Sequence, residues 1–101
     1  MSRKERVTRV IDGDTFMTSS RKKPVRLANY DAPERGERGY QRSKQALTGM
    51  ISGKTVSVDV KAHDVYGRAV AQVKVGGHSV SAAMRSRTSK NREGERVPTQ
   101  G

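Results

Sequence analysis

Three short stretches of this chain carry side chains whose types and spacing suit metal-assisted hydrolysis of a phosphate ester. They are Ile11-Asp12-Gly13-Asp14-Thr15, Val25-Arg26-Leu27-Ala28-Asn29-Tyr30-Asp31-Ala32-Pro33-Glu34 and Asp64-Val65-Tyr66-Gly67-Arg68. Carboxylates at Asp14 and Asp31 can hold a hard divalent ion, because two such groups side by side repel unless a cation sits between them. Glu34 can accept a proton from an attacking water. Arg26 and Arg68 carry planar guanidinium groups, which match phosphate oxygens two at a time and neutralise charge that builds there.

Taken singly, each of these residues has a plainer reading. Asp12-Gly13-Asp14 is a common turn sequence. It is not an EF-hand: counting from Asp12, the position that needs a bidentate glutamate is Lys23. Glu34 opens the charged run Glu34-Arg35-Gly36-Glu37-Arg38, where a solvent-facing acid is unremarkable. Tyr66 can stack on a base or sugar, or simply cover the core. His63 and His78 lie outside the three stretches and read as exposed or structural. No Ser or Thr has the neighbours of a nucleophilic triad. The chemical case rests on the combination.

Composition points the same way. The chain has 101 residues, enough for one domain, with 21 Lys and Arg against 10 Asp and Glu, a formal net charge of +11. Such an excess favours anionic partners, nucleic acid first and an anionic membrane second. No long apolar helical face supports the membrane, and no run is long enough to span one. Only 32% of residues are hydrophobic, with one Phe and no Trp, so the core must be small. The absence of Cys rules out disulfides, zinc–thiolate sites and a cysteine nucleophile. The basic start has no apolar run behind it and is not a signal peptide. A cytoplasmic location follows, or export if a leader has been removed.

The elements must bring the three stretches together. Residues 7–11 and 16–18 read as strands around the Asp-Gly step, residues 19–23 as a hairpin loop, and residues 25–29 as a third strand. Residues 30–39, with Pro33, Gly36 and Gly39, read as a loop. Residues 41–51 read as a helix with Ala46, Leu47, Met50 and Ile51 on its buried face and Gly53 ending it. Residues 55–60 alternate cleanly as a strand, residues 69–75 form another, and residues 80–84 suit a short helix. Three strands, a helix and two strands predict a mainly β (α+β) OB-fold: a five-stranded barrel with a helix between strands three and four. Residues 1–84 form this domain. Residues 85–101 are polar and basic, too poor in apolar groups to order themselves, and read as a tail.

The Asp-Gly-Asp-Thr step, the Arg-Leu with Asp-x-Pro-Glu, and the Asp-x-Tyr-Gly-Arg resemble the thermonuclease (staphylococcal nuclease-like) family. All three occur in family order, across residues 7–84. The resemblance implies calcium bound by Asp14, Asp31 and the backbone carbonyl of Ala32, with Asp12 supporting the metal from behind. It implies Glu34 as general base, Arg26 and Arg68 on the scissile phosphate, and Tyr66 beside the nucleotide. It further implies cleavage of DNA and RNA with little sequence preference, single strands favoured, leaving 3′-phosphates. Similar proteins continue after a segment like residues 80–84 with fuller helices and stacking tyrosines, where this chain has its polar tail. The rival reading is an OB-fold module that binds nucleic acid with weak or no cleavage. A third is a basic protein of a larger complex whose tail folds on its partner.

Overall fold

Apolar residues alternating along short strands close this chain into a barrel. The computed structural model describes residues 2–86. Its strands are β1 (Arg3–Asp12), β2 (Thr15–Thr18), β3 (Val25–Leu27), β4 (Thr55–His63) and β5 (Ala69–Val75), with α1 (Tyr40–Ile51) between β3 and β4. The strand order is β3-β2-β1-β4-β5, and β3 returns to pair in parallel with β5, Val25 opposite Ala69 and Arg26 opposite Val70. The neighbouring pairs are antiparallel. This is the mainly β, five-stranded barrel with a helix after its third strand that the sequence predicts. A two-residue strand, β6 (His78–Ser79), folds back on the end of β5, and residues 80–86 are helical.

Inward positions fill the barrel: Phe16, Val25, Leu27, Val56, Val58 and Val73 are all at most 1% exposed. The two helices close it. From α1 come Leu47 and Ile51, and from the last helical segment come Val80 and Met84, each fully buried. The buried face of α1 is Tyr40, Ser43, Leu47 and Ile51, one residue longer at its start than periodicity suggests. Ala46 and Met50 flank this face, partly buried. Ser43 sits in the apolar interior at no cost in unpaired hydroxyl, because it shares a 3.0 Å hydrogen bond with the buried Tyr30 hydroxyl. Of the polar tail, residues 87–101 lie outside the described residues; Arg85 and Ser86 complete the last helical turn. Among the described residues no helix is long and apolar enough to cross a membrane.

β1 begins four residues earlier than expected, and the reason is a buried charge. Residues 3–6 are all charged, so no apolar alternation marks them, yet they pair with the start of β4. Glu5 points inward and is 3% exposed. Its carboxylate accepts from Arg21 Nε at 2.9 Å and Nη2 at 2.9 Å, and from Thr18 Oγ1 at 2.7 Å. Burial pushes the Glu5 carboxyl up, but Arg21 and Thr18 outweigh it and hold it below its usual value. The stability this contributes is present at neutral pH and is lost as pH falls through the lowered value. Removing one partner of a buried pair strands the other charge. Arg21→Ala should therefore cost about 3 kcal/mol, the lower end for such pairs because Arg21 keeps some solvent contact. In that variant only the hydroxyl donors Thr18 and Ser20 still oppose burial at Glu5, so the loss of stability on going to mild acid should shrink or reverse. Thermal melts across the acid range check both signs, and an unchanged melting point would remove the pair from any stabilising role.

Candidate active site

Three segments build a single cleft: the β1–β2 turn, β3 with the loop after it, and the β4–β5 turn. The turn between β1 and β2 supplies Asp12, Gly13 and Asp14. A pairing irregularity in β1 falls between Val10 and Asp12, where a bulge can re-aim the end of a strand. Gly13 lies against α1 so closely that a Cβ there would stand 2.0 Å from Ser43 Oγ and 2.7 Å from Ser43 Cβ. No residue but glycine fits without moving the helix. Gly13→Ala should cost about 1–3 kcal/mol, as overpacking does, and a melt with no loss would show that the turn relaxes freely.

Asp14 is held on three sides. Thr15 Oγ1 donates to its Oδ1 at 2.9 Å, the Ala32 N–H to its Oδ2 at 3.2 Å, and its backbone carbonyl accepts from the Leu27 N–H at 2.8 Å. Arg26 lies in the middle of β3. Its neighbours Val25 and Leu27 are buried, so alternation turns the guanidinium outward into the cleft. Its Nη2 is 3.3 Å from Asp14 Oδ2 and also pairs with Asp31 Oδ1.

β3 ends at Leu27, two residues sooner than expected. Beyond it Asn29 adopts φ 64°, the one positive φ outside glycine among the described residues, a conformation asparagine tolerates better than most. The last helical segment grips this bend: Ser81 Oγ donates to the Ala28 carbonyl at 2.5 Å and Arg85 Nη1 to the Asn29 carbonyl at 2.6 Å. Asp31, Ala32, Pro33 and Glu34 follow on the loop. The Glu34 N–H donates to Glu37 Oε1 at 2.7 Å, and the Glu37 N–H returns to the Glu34 carbonyl at 2.8 Å.

Arg68 arrives from the turn between β4 and β5, where Gly67 takes φ 84°. Asp64 organises that turn. Its Oδ1 accepts the N–H groups of Tyr66 at 3.0 Å and Arg68 at 2.9 Å, and its Oδ2 accepts Arg68 Nε at 2.5 Å. Partial desolvation works to raise the Asp64 carboxyl, but these bonds, the Arg68 N–H foremost, hold it below its usual value. Among the described residues the terminal Nη groups of Arg68 keep no carboxylate partner.

Asp12, Asp14, Arg26, Asp31, Ala32, Glu34 and Arg68 thus line one cleft of about 610 Å³, together with Pro33, Arg35 and Glu37. Tyr66 does not line it. Its ring stands 73% exposed on the rim, with the Arg68 guanidinium 5.3 Å from its centre. Sequence reasoning passed over three supporting residues. Tyr40 donates its hydroxyl to Asp12 Oδ1 at 2.7 Å, and its signal was an aromatic at the foot of the glycine loop. Thr15 and Asp64 stood inside the quoted stretches without a role.

A hard ion fits the donors in kind. Asp14 and Asp31 both reach one nitrogen of Arg26, so they are near enough to share a cation, and the Ala32 peptide lies beside them. The set is all oxygen, as such an ion requires, and would leave room for water and substrate oxygens. Among the described residues no three acidic, His or Cys side chains converge to enclose an ion without such help.

Comparison with known proteins gives a consistent picture. The family model described as staphylococcal nuclease homologue matches residues 24–87. Arg26, Asp31, Ala32, Glu34, Tyr66 and Arg68 fall inside that span, while Asp12 and Asp14 precede it. The chain is 45% identical over 71 residues to protein ParB of Escherichia coli, covering 68% of this chain and 40% of that protein. It is 41% identical over 70 residues to an uncharacterized endonuclease of Escherichia coli O157:H7, covering 67% and 46%. A micrococcal nuclease of Shigella flexneri is 38% identical over 69 residues, covering 66% and 40%. The chain spans less than half the length of each of these relatives. With the barrel, the cleft and a family match across most of its length, this chain belongs to the staphylococcal nuclease family.

Proposed function

We propose that this domain is an endonuclease that hydrolyses phosphodiester bonds of DNA and RNA with calcium, leaving 3′-phosphates. The observation that carries the reading is the convergence of Asp14, Asp31 and Glu34 with Arg26 and Arg68 on one cleft. The names of its relatives support the same class of reaction.

Asp14, Asp31 and the Ala32 carbonyl would hold calcium, which when bound supplies positive charge to polarise the phosphate. The rest follows from the chain's own groups. Arg68, fixed through Nε by Asp64, turns its terminal nitrogens to the phosphate oxygens. Arg26 does the same once its pairing with Asp14 and Asp31 loosens. Glu34 stands on the same cleft wall and takes a proton from water. The water oxygen forms a bond to phosphorus as the bond to the 5′-oxygen breaks, so phosphate stays on the 3′ side and the departing oxygen gains a proton from solvent. The guanidinium groups stabilise the charge on the phosphorus oxygens throughout. Single strands suit the site best, because an open cleft receives a strand more readily than a stiff duplex.

Incubating single-stranded DNA and RNA with calcium, against a chelator control, tests the reading. Fragments that carry 3′-phosphate and vanish with chelator are expected. Binding without chelator-sensitive fragments would replace it with the rival reading, a binding module. That rival draws on one observation: in this structure both acidic groups are engaged by Arg26.

A further inference from the structure

The cleft does not stop at Arg35 and Glu37. Both residues also line a second groove of about 750 Å³, which runs from the loop along the first turns of α1. Its walls carry Arg35, Arg38, Arg42 and Lys44 against one acid, Glu37. That acid is already occupied, since its Oε1 accepts the Glu34 N–H at 2.7 Å. Three other arginines are matched with carboxylates: Arg21 with Glu5, Arg26 with Asp14 and Asp31, and Arg68 with Asp64. Among the described residues the four groove cations have no such partner. Arg35, Arg38 and Arg42 are exposed, and Lys44 is half-buried.

Unmatched positive charge in a concave surface concentrates the field for an anion. Cleavage of one phosphodiester does not call for it, because Arg26 and Arg68 already serve that phosphate. A polymer with a phosphate at every unit does. A strand that lays one phosphate in the cleft must set the next ones on the adjoining wall, and that wall is this groove. We infer that the groove of residues 35–44 is an extended subsite, which binds the phosphates of a nucleic-acid strand to one side of the bond in the cleft. The inference rests on the nuclease reading for its direction, and it adds a footprint several nucleotides long.

Anisotropy of end-labelled oligothymidylates, measured in chelator so that nothing is cut, tests it. Two lengths are used, about twelve nucleotides and about two, one within the usual footprint of an OB-fold and one shorter than it. The variant is Arg38→Ala with Arg42→Ala, two exposed positions outside the cleft, checked for an unchanged melt. The long strand should bind about 5- to 10-fold more weakly, with a salt dependence shallower by about 1.4, the share of two phosphate contacts. The short strand should bind as before. Equal losses on both lengths, or none on the long one, would overturn the subsite. Cleavage by the native protein in calcium is scored separately. Groove effects without cutting would keep the subsite and dismiss the nuclease, and cutting without groove effects would do the reverse.

Discussion

Replacing Arg68 with Ala should slow phosphodiester hydrolysis by about 10³-fold or more, the scale at which a phosphate-neutralising arginine acts. Of the two arginines Arg68 is the better prepared. Its Nε is tied to Asp64 at 2.5 Å, and the same carboxylate fixes its backbone N–H. The guanidinium therefore faces the cleft before any substrate arrives, and little ordering remains to be done on binding. Loss of the side chain leaves Asp64 still accepting the N–H groups of residues 66 and 68, so the turn should survive and the melting temperature should change little. Arg68→Lys restores charge without the planar fork and should recover only a small part of the rate. Single-turnover cleavage of a labelled oligonucleotide measures all three proteins. An alanine variant within about tenfold of native would remove Arg68 from the reacting phosphate.

Glu34→Gln should lower kcat by about 10²–10⁴-fold with KM nearly unchanged. The substitution keeps the size of the side chain and removes its capacity to take a proton. Loop geometry is not at stake, because the bonds that hold this turn run through the Glu34 backbone and the Glu37 carboxylate. A fall in binding without a fall in turnover would mean that Glu34 positions substrate. Near-native turnover would mean that the proton goes elsewhere.

How much of this could be read from the chain alone depends on what each residue's signal was. Alternation in β4 and β5 is apolar on one face, so those strands and the barrel announce themselves. Arg26 was legible for the same reason: two buried neighbours left its side chain one direction to go. β1 was half hidden, because Glu5 is an inward position filled by a charge, and only its distant partners Arg21 and Thr18 make that tolerable. Arg21 counts toward the net positive charge, yet its guanidinium bonds Glu5 rather than standing free for a polyanion. The helix face was misjudged at Ser43 for a matching reason, since its partner Tyr30 lies outside α1. Asp14, Asp31 and Glu34 were legible as chemical types in a recurring order. Their closeness was not, because it comes from the Asn29 bend and from the grip of Ser81 and Arg85, contacts that join residues more than fifty positions apart.

The parallel seam between β3 and β5 has one more consequence. Arg26 and Arg68 come from distant parts of the chain and are brought to one cleft by that seam, through Val25 beside Ala69. Pairing such remote segments costs the entropy of closing the long loop between them. Without the seam the chain could keep its antiparallel pairs but would have no shared place to seat a phosphate. A substitution that opens this seam should therefore take away both guanidinium positions together, rather than one of them.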